Sequence, residues 1–231
     1  MTVPRYVGFN EPALHFLQEL KANNNRDWFR ENKSRYEELV LDTALRFIQS
    51  MQYPLADFAP HFTAIPSRVG GSLMRVYRDT RFSKIKLPYK TNIGIHFRHE
   101  LAKDVHSPAY YVHIEPDNVF VGAGMWRPDS ESLKQIRTRI AQKPEEWKRT
   151  MGDRGFARHF KLGGESLLRP PRGFNAEHEC LADIKRKSFI AIKNMDSNAC
   201  LNARFQQQVE TAFQSATPYM RFLCKAVGVP F

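Results

Sequence analysis

The sequence has few cysteines, and their spacing matches neither a metal site nor a disulfide framework. Only Cys180, Cys200 and Cys224 occur in 231 residues, and no C-x-x-C pair is present. Zinc knuckles and small disulfide-bonded scaffolds need several closely spaced cysteines, so neither is predicted. A reducing, cytoplasmic setting is expected, because disulfide-bonded proteins concentrate in oxidising compartments.

Long apolar runs are also absent. A membrane-spanning helix needs about 18 or more consecutive apolar residues, and the sequence contains no such run. The N-terminal stretch MTVPRYVGFNEP has no apolar core behind a basic start, so no secretory signal is expected. We therefore expect no membrane partner.

The common catalytic signatures are missing as well. There is no G-x-S-x-G nucleophile elbow, no G-x-x-x-x-G-K-[ST] phosphate loop, no G-x-G-x-x-G turn and no H-E-x-x-H zinc motif. No metal and no cofactor are predicted on these grounds. Whether the protein is an enzyme is left open.

Acidic residues are scarce relative to basic ones, and the excess is concentrated in one stretch. The chain carries 35 Lys and Arg against 24 Asp and Glu, a formal net charge of +11. Between residues 68 and 90 seven basic residues face a single acid, Asp79, which gives +6 within about a tenth of the chain. A basic balance of this kind favours anionic partners.

The apolar pattern predicts an α+β fold. Helical spacing indicates helices after Asn10, over residues 26–51, after Asp129 and over residues 198–227, with a break at Pro218. Alternating residues predict strands at 73–78, 91–98, 109–115, 118–125 and 188–195, while 53–71 and 152–175 look irregular. We predict one domain over residues 1–231, in which a mostly antiparallel sheet packs against an N-terminal helical hairpin and C-terminal helices.

Strand alternation sorts the polar residues onto one face of this sheet. His96, Tyr111, His113 and Glu115 should lie together, opposite the apolar side chains of their strands. His113 and Glu115 are two residues apart on that face, close enough for acid–base catalysis or for two metal ligands. The alternative is that they belong to the solvated face that an antiparallel sheet commonly has.

The basic stretch supports two interpretations. In the first, an anionic ligand such as a phosphate is bound by basic side chains and by Tyr111 on the adjoining sheet face; the basic residues are Arg75, Arg78, Arg81, Lys84, Lys86 and Lys90. In the second, Asp79 pairs with a neighbouring arginine and the stretch is a structural connector. Mutual repulsion among six excess positive charges favours the first.

Nucleic acid is a further possible anionic partner. A second basic region supports it, formed by Lys134, Arg137, Arg139, Lys143, Lys148 and Arg149. No helix-turn-helix spacing, zinc finger or RNP-type aromatic motif is present, so base recognition is not predicted. Contact with the phosphate backbone alone, or a role in protein interaction, is the alternative to a small anionic ligand.

Several segments together resemble one protein family. They are NNRDWF at residues 24–29, the core RDTRFSKIKLPYKT at 78–91, YVHIEP at 111–116, GAGMW at 122–126 and RPPRGF at 169–174. The chain resembles the conserved hypothetical proteins known as domain of unknown function 2461. The resemblance implies one domain and makes the basic core characteristic of the family. It implies no activity, cofactor or catalytic residue.

Overall fold

A computed structural model of the protein describes residues 6–81, 84, 86–102 and 106–231. Phe82 and Ser83, which belong to the basic core motif, lie outside the described residues, as do residues 1–5 of the N-terminal stretch.

The first helix forms where the sequence predicts it. Helix α1 (Glu11–Ala22) begins after Asn10, whose side-chain oxygen accepts a 2.9 Å hydrogen bond from the backbone N–H of Ala13. Pro12 occupies the first turn, where its missing N–H costs nothing because that donor would have no helical partner. Cap and proline together fix the start of the N-terminal helical layer.

The predicted helix over residues 26–51 is correct in extent but wrong as a single regular element. It consists of α2 (Arg26–Glu31), α3 (Lys33–Arg35), a π-helical turn (Tyr36–Leu41) and α4 (Asp42–Ser50), followed by α5 (Gln52–Phe58). A π turn holds one extra residue and shifts the phase of the apolar face. An apolar pattern with a period of 3.6 residues does not reveal a shift of one residue, so the sequence does not predict the π turn. Helix α5 also replaces the start of the loop predicted at 53–71.

In the part of the chain that the structure describes, six strands form one antiparallel sheet. They are β1 (Phe62–Thr63), β2 (Ile93–His99), β3 (Ala109–Glu115), β4 (Asn118–Met125), β5 (Lys161–Gly163) and β6 (Phe189–Met195), in the order β1-β2-β3-β4-β6-β5. Strands β3 and β4 match the predicted bounds, because a tight turn at Pro116 and Asp117 (φ +64°) joins them. The mostly antiparallel sheet is therefore confirmed.

The strand predicted at 73–78 is only partly formed. The N–H of Met74 donates to Gly94 (2.9 Å) and Leu73 bridges Ile95, so the segment begins as an extra edge along β2. It then leaves the sheet and pairs with its own returning chain, where Tyr77 bridges Tyr89. We call residues 75–91 the basic hairpin. Short-range alternation predicts an extended chain here, but it does not reveal the change of partner.

The remaining helices lie between the later strands of the sheet and after the last one. They are α6 (Ser130–Gln142), α7 (Pro144–Met151), α8 (Arg154–His159), α9 (Leu181–Ile184), α10 (Phe205–Ser215) and α11 (Thr217–Ala226), with a 3-10 turn at Ala199–Leu201. Helix α8 and strand β5 lie within 152–175, so the prediction of an irregular segment is wrong for residues 154–163 and correct for residues 164–175. The predicted break near Pro218 is confirmed, since α11 starts there as a separate helix.

The helices cover one face of the sheet. Ile95, Phe97, Val112 and Val121 point into a contiguous hydrophobic core with α1, α4, α10 and α11, and each is fully buried. Register places Gly94, His96, Tyr111, His113 and Phe120 on the other face, which we call the open face. This is the predicted α+β arrangement. Within the described part of the chain, no helix combines the length and the apolar character needed to cross a membrane.

Candidate functional site

The base of the basic hairpin is fixed by Asn24. Its side-chain nitrogen donates to the carbonyl of Tyr89, and its side-chain oxygen accepts from the N–H of Tyr89, both at 3.0 Å. The ring of Tyr89 stacks on Phe29, with centroids 4.1 Å apart and planes 21° apart, and Tyr77 packs against both. The amide thus takes the place of a neighbouring strand.

The position of the Asn24 amide follows from the roles of the asparagines on either side of it. Asn23 ends helix α1, and the side chain of Asn25 caps helix α2 by accepting a 2.9 Å hydrogen bond from the N–H of Trp28. Asn24 lies between the two helices and contributes to neither helix end, so its amide is available to the hairpin. The NNRDWF segment and the basic core, 65 residues apart at the contact, therefore form one unit.

Three of the predicted ligand-binding residues gather at this base. Lys90 is half-buried, and its pKa is lowered by burial and further by the positive charges of Arg75 and Arg78. Among the described residues, no carboxylate oxygen lies within 4.0 Å of any of these three side chains. We call Arg75, Arg78 and Lys90 the cationic triad.

The other predicted basic residues lie further along the hairpin, and two of them bind groups of the hairpin itself. Arg81 donates from Nε and Nη2 to the two oxygens of Asp79, at 3.0 and 2.7 Å, and this contact lowers the pKa of the Asp79 carboxyl to about 2. Lys86 Nζ donates to the carbonyl of Thr80 at 2.8 Å, and Lys84 is exposed. The structural interpretation therefore fits Arg81 and Lys86.

The two predicted acid–base residues are in contact on the open face. His113 Nε2 lies 3.5 Å from Glu115 Oε2, an ion-pair distance too long for a strong hydrogen bond. Nδ1 of the same ring is 3.3 Å from the amide nitrogen of Asn92 and 3.2 Å from the hydroxyl of Tyr111. The other carboxylate oxygen of Glu115 accepts a 3.1 Å hydrogen bond from Thr91.

These contacts define the tautomer of His113. The amide nitrogen of Asn92 can only donate, so Nδ1 is an acceptor and the neutral ring carries its proton on Nε2, facing Glu115. Burial lowers the pKa of His113, and Glu115 opposes this only in part. The ring also stacks on Phe120, with centroids 4.5 Å apart. A neutral imidazole beside a carboxylate is suited to proton transfer.

An apolar trough adjoins this pair on the open face. It has a volume of about 410 Å³, and its lining includes Met74, His96, Tyr111, Phe120, Gly122 and Ile192. Burial, together with the charge of Arg98, lowers the pKa of His96 to about 4, so its ring is neutral near pH 7. The sequence places His96 and Tyr111 on this face, but the trough depends on the pairing of β4 with β6, which local patterns do not give.

Several side chains of the second basic region are bound within the protein. Arg137 is buried and donates to the carbonyl of Arg186 at 2.8 Å. Arg139 pairs with Glu146 at 2.6 Å, and Lys148 pairs with Glu145 and Glu179 at 2.9 and 2.6 Å. Three of the six basic side chains in this region are thus hydrogen-bonded or ion-paired within the protein.

Comparison with known proteins gives one match. A family model described as a conserved hypothetical protein (DUF2461) matches residues 12–222. No curated protein and no solved structure matches the chain. Since the match covers Asn24, the basic hairpin and all six strands, the chain belongs to the DUF2461 family of conserved hypothetical proteins.

Proposed function

We propose that the protein binds a small anionic ligand, carrying a phosphate or a carboxylate, at the cationic triad. One observation carries the proposal: Lys90 is half-buried beside Arg75 and Arg78, and within the described chain no carboxylate oxygen lies within 4.0 Å of any of the three. The charge of Asp79 acts on Arg75 only from a longer distance, and Asp79 is itself paired with Arg81. Arginine presents a planar fork that matches two oxygens of a phosphate or carboxylate, and lysine adds a point charge.

Electrostatics supports this assignment. Two unit charges 4 Å apart interact by about 1 kcal/mol in water and by about 4 kcal/mol near a protein surface. Three like charges held at the base of one hairpin therefore repel one another unless an anion lies between them. The rigid support from Asn24 and Phe29 holds them together in spite of this repulsion. The bound anion supplies the close negative charge that Asp79, which is engaged by Arg81, does not give to the three side chains.

His113 and Glu115 give the site a capacity for chemistry. If the bound ligand reacts, the His113 imidazole is the group that would accept a proton, and Glu115 would stabilise the resulting cation. Thr91 joins the two parts, since its hydroxyl bonds Glu115 and it follows Lys90 in the chain. We therefore assign His113 and Glu115 a proton-transfer role in a reaction of a phosphate-bearing ligand.

The test is a calorimetric titration with inorganic phosphate and pyrophosphate. Arg78→Glu should weaken binding of both at least about tenfold, whereas Arg154→Glu, a charge reversal on the exposed start of α8, should not. Arg81→Ala should also bind normally, because Arg81 is engaged by Asp79. Equal affinities for wild type and Arg78→Glu, or no binding by wild type, would reject the proposal.

A nucleic-acid phosphate backbone is the other source of such an anion, and the same variants distinguish it. A single-stranded oligonucleotide that binds through several phosphates loses affinity steeply with salt. If the oligonucleotide binds wild type with a steep salt slope while phosphate and pyrophosphate do not bind, the small-ligand proposal is wrong and the nucleic-acid alternative replaces it.

A further inference from the structure

We propose that the trough on the open face binds a planar aromatic ring, and that this ring carries the anion held by the cationic triad. The ligand class is then an aromatic phosphate or carboxylate. The anionic half of this inference rests on the proposed function. The ring-binding half rests on the trough itself.

The open face is more apolar than a solvated sheet face. Tyr111, Phe120, Ile190 and Ile192 point away from the helices and lie outside the contiguous core, yet each is half-buried. A two-layer protein normally has polar side chains on the face of its sheet that meets water. Contiguous apolar groups in a concave surface are typical of a ligand site.

Gly122 lies in the floor of the trough, and the backbone there does not require a glycine. A Cβ built there would lie 3.7 Å from the Ala191 carbonyl oxygen and from the Tyr111 Cβ, an ordinary contact distance. Gly124 is different, since its φ is +128° and a Cβ would lie 2.0 Å from the Phe189 oxygen. Backbone geometry explains Gly124 but not Gly122. The missing side chain at 122 leaves room for a flat group to approach the sheet.

His96 gives the trough a polar group. Its Nδ1 is buried and has no hydrogen-bond partner among the described residues. Because Nδ1 is enclosed, a polar substituent on a bound ring would meet the other ring nitrogen, Nε2, which is not among the enclosed unpartnered atoms. The neutral imidazole offers one donor and one acceptor in total.

One segment of the chain supplies residues to both the trough and the cationic triad. Met74 forms part of the trough wall, and Arg75 is the next residue. The carbonyl of Val76 accepts the 2.7 Å hydrogen bond from the N–H of Lys90, which ties the triad to the same segment. A volume of about 410 Å³ lies in the range of small-molecule sites, roughly 300–1,000 Å³. A one- or two-ring compound fits it.

The experiment compares 1-naphthyl phosphate with inorganic phosphate by calorimetry. Wild type should bind 1-naphthyl phosphate at least about tenfold more tightly, because the ring adds apolar contact. Gly122→Leu fills the floor and should abolish this advantage while leaving the affinity for inorganic phosphate unchanged. Ile192→Ala, which removes wall contact without adding bulk, should reduce the advantage by about threefold or more. Arg78→Glu should weaken both probes.

The outcomes separate the two proposals. If wild type binds both probes equally well, or if Gly122→Leu retains the full advantage, the trough does not hold the ring, although the triad still binds the anion. If neither probe binds, the proposed function fails and this inference fails with it. Should Gly122→Leu melt early, the result for Ile192→Ala decides, and an unchanged advantage in that variant rejects the inference.

Discussion

The side-chain amide of Asn24 makes both hydrogen bonds of a strand pair with the backbone of Tyr89, each 3.0 Å long. A residue in a short link between two helices thereby holds a hairpin 65 positions further along the chain. The position of the cationic triad depends on this contact, because Lys90 is the residue next to Tyr89.

Removing this amide should therefore affect stability and binding together. Asn24→Ala leaves the N–H and carbonyl of Tyr89 without partners and should reduce the free energy of unfolding by about 1–3 kcal/mol. It should also weaken pyrophosphate binding, since the triad loses its support. Chemical denaturation and calorimetry measure the two effects.

The neighbouring asparagine provides the matched control. Asn25→Ala removes the cap of α2 and should cost about 0.5–2 kcal/mol of stability, with pyrophosphate affinity preserved. If Asn24→Ala binds as well as Asn25→Ala does, the hairpin base does not position the triad.

The stability of the fold should fall in mild acid because of His96. Its pKa is about 4 in the folded chain and near the ordinary 6.5 when unfolded. Between these values the unfolded chain binds more protons, so stability is complete above about pH 6.5 and decreases by up to about 1.4 kcal/mol per unit as the pH falls towards 4.

His96→Gln should flatten this slope. Unfolding free energies measured between pH 4 and 7 give the comparison, and His15→Gln, which removes an exposed imidazole on α1, is the control. The lowered pKa of His113 acts in the same direction, so part of the slope should persist in His96→Gln. Parallel slopes for wild type and His96→Gln would contradict the assignment of His96 as a buried neutral ring.

The two strand glycines should respond very differently to alanine. Gly124→Ala forces a Cβ to within 2.0 Å of a backbone oxygen at a φ of +128°, and should cost at least about 3 kcal/mol. Gly122→Ala makes only ordinary contacts and should change stability by less than about 1 kcal/mol. Thermal melting of the two variants checks this. Similar losses would mean that both glycines are required by the backbone.

The sequence predicts the central hairpin of the sheet well. Alternation fixes the faces of β3 and β4, and the short turn at Pro116 and Asp117 fixes their register. The contact between His113 and Glu115 follows from these two local features. Local rules are sufficient here because both strands and their turn lie within 17 consecutive residues.

Long-range contacts account for what the sequence does not predict. No propensity distinguishes Asn24 from its neighbours, although only Asn24 binds the hairpin. The floor of the trough at Gly122 depends on its pairing with Ile192, 70 positions later. The pairing of Arg81 with Asp79 follows from local spacing, as the structural interpretation of the basic stretch predicts.

The most direct test of the central claim is the pKa of Lys90, followed by NMR of its labelled side chain with and without pyrophosphate. Free protein should show a pKa below the ordinary 10.5, and saturating pyrophosphate should raise it, because a bound anion stabilises the protonated amine. Arg78→Glu should abolish the response to pyrophosphate. A Lys90 pKa that pyrophosphate leaves unchanged in the wild-type protein would contradict anion binding at the triad.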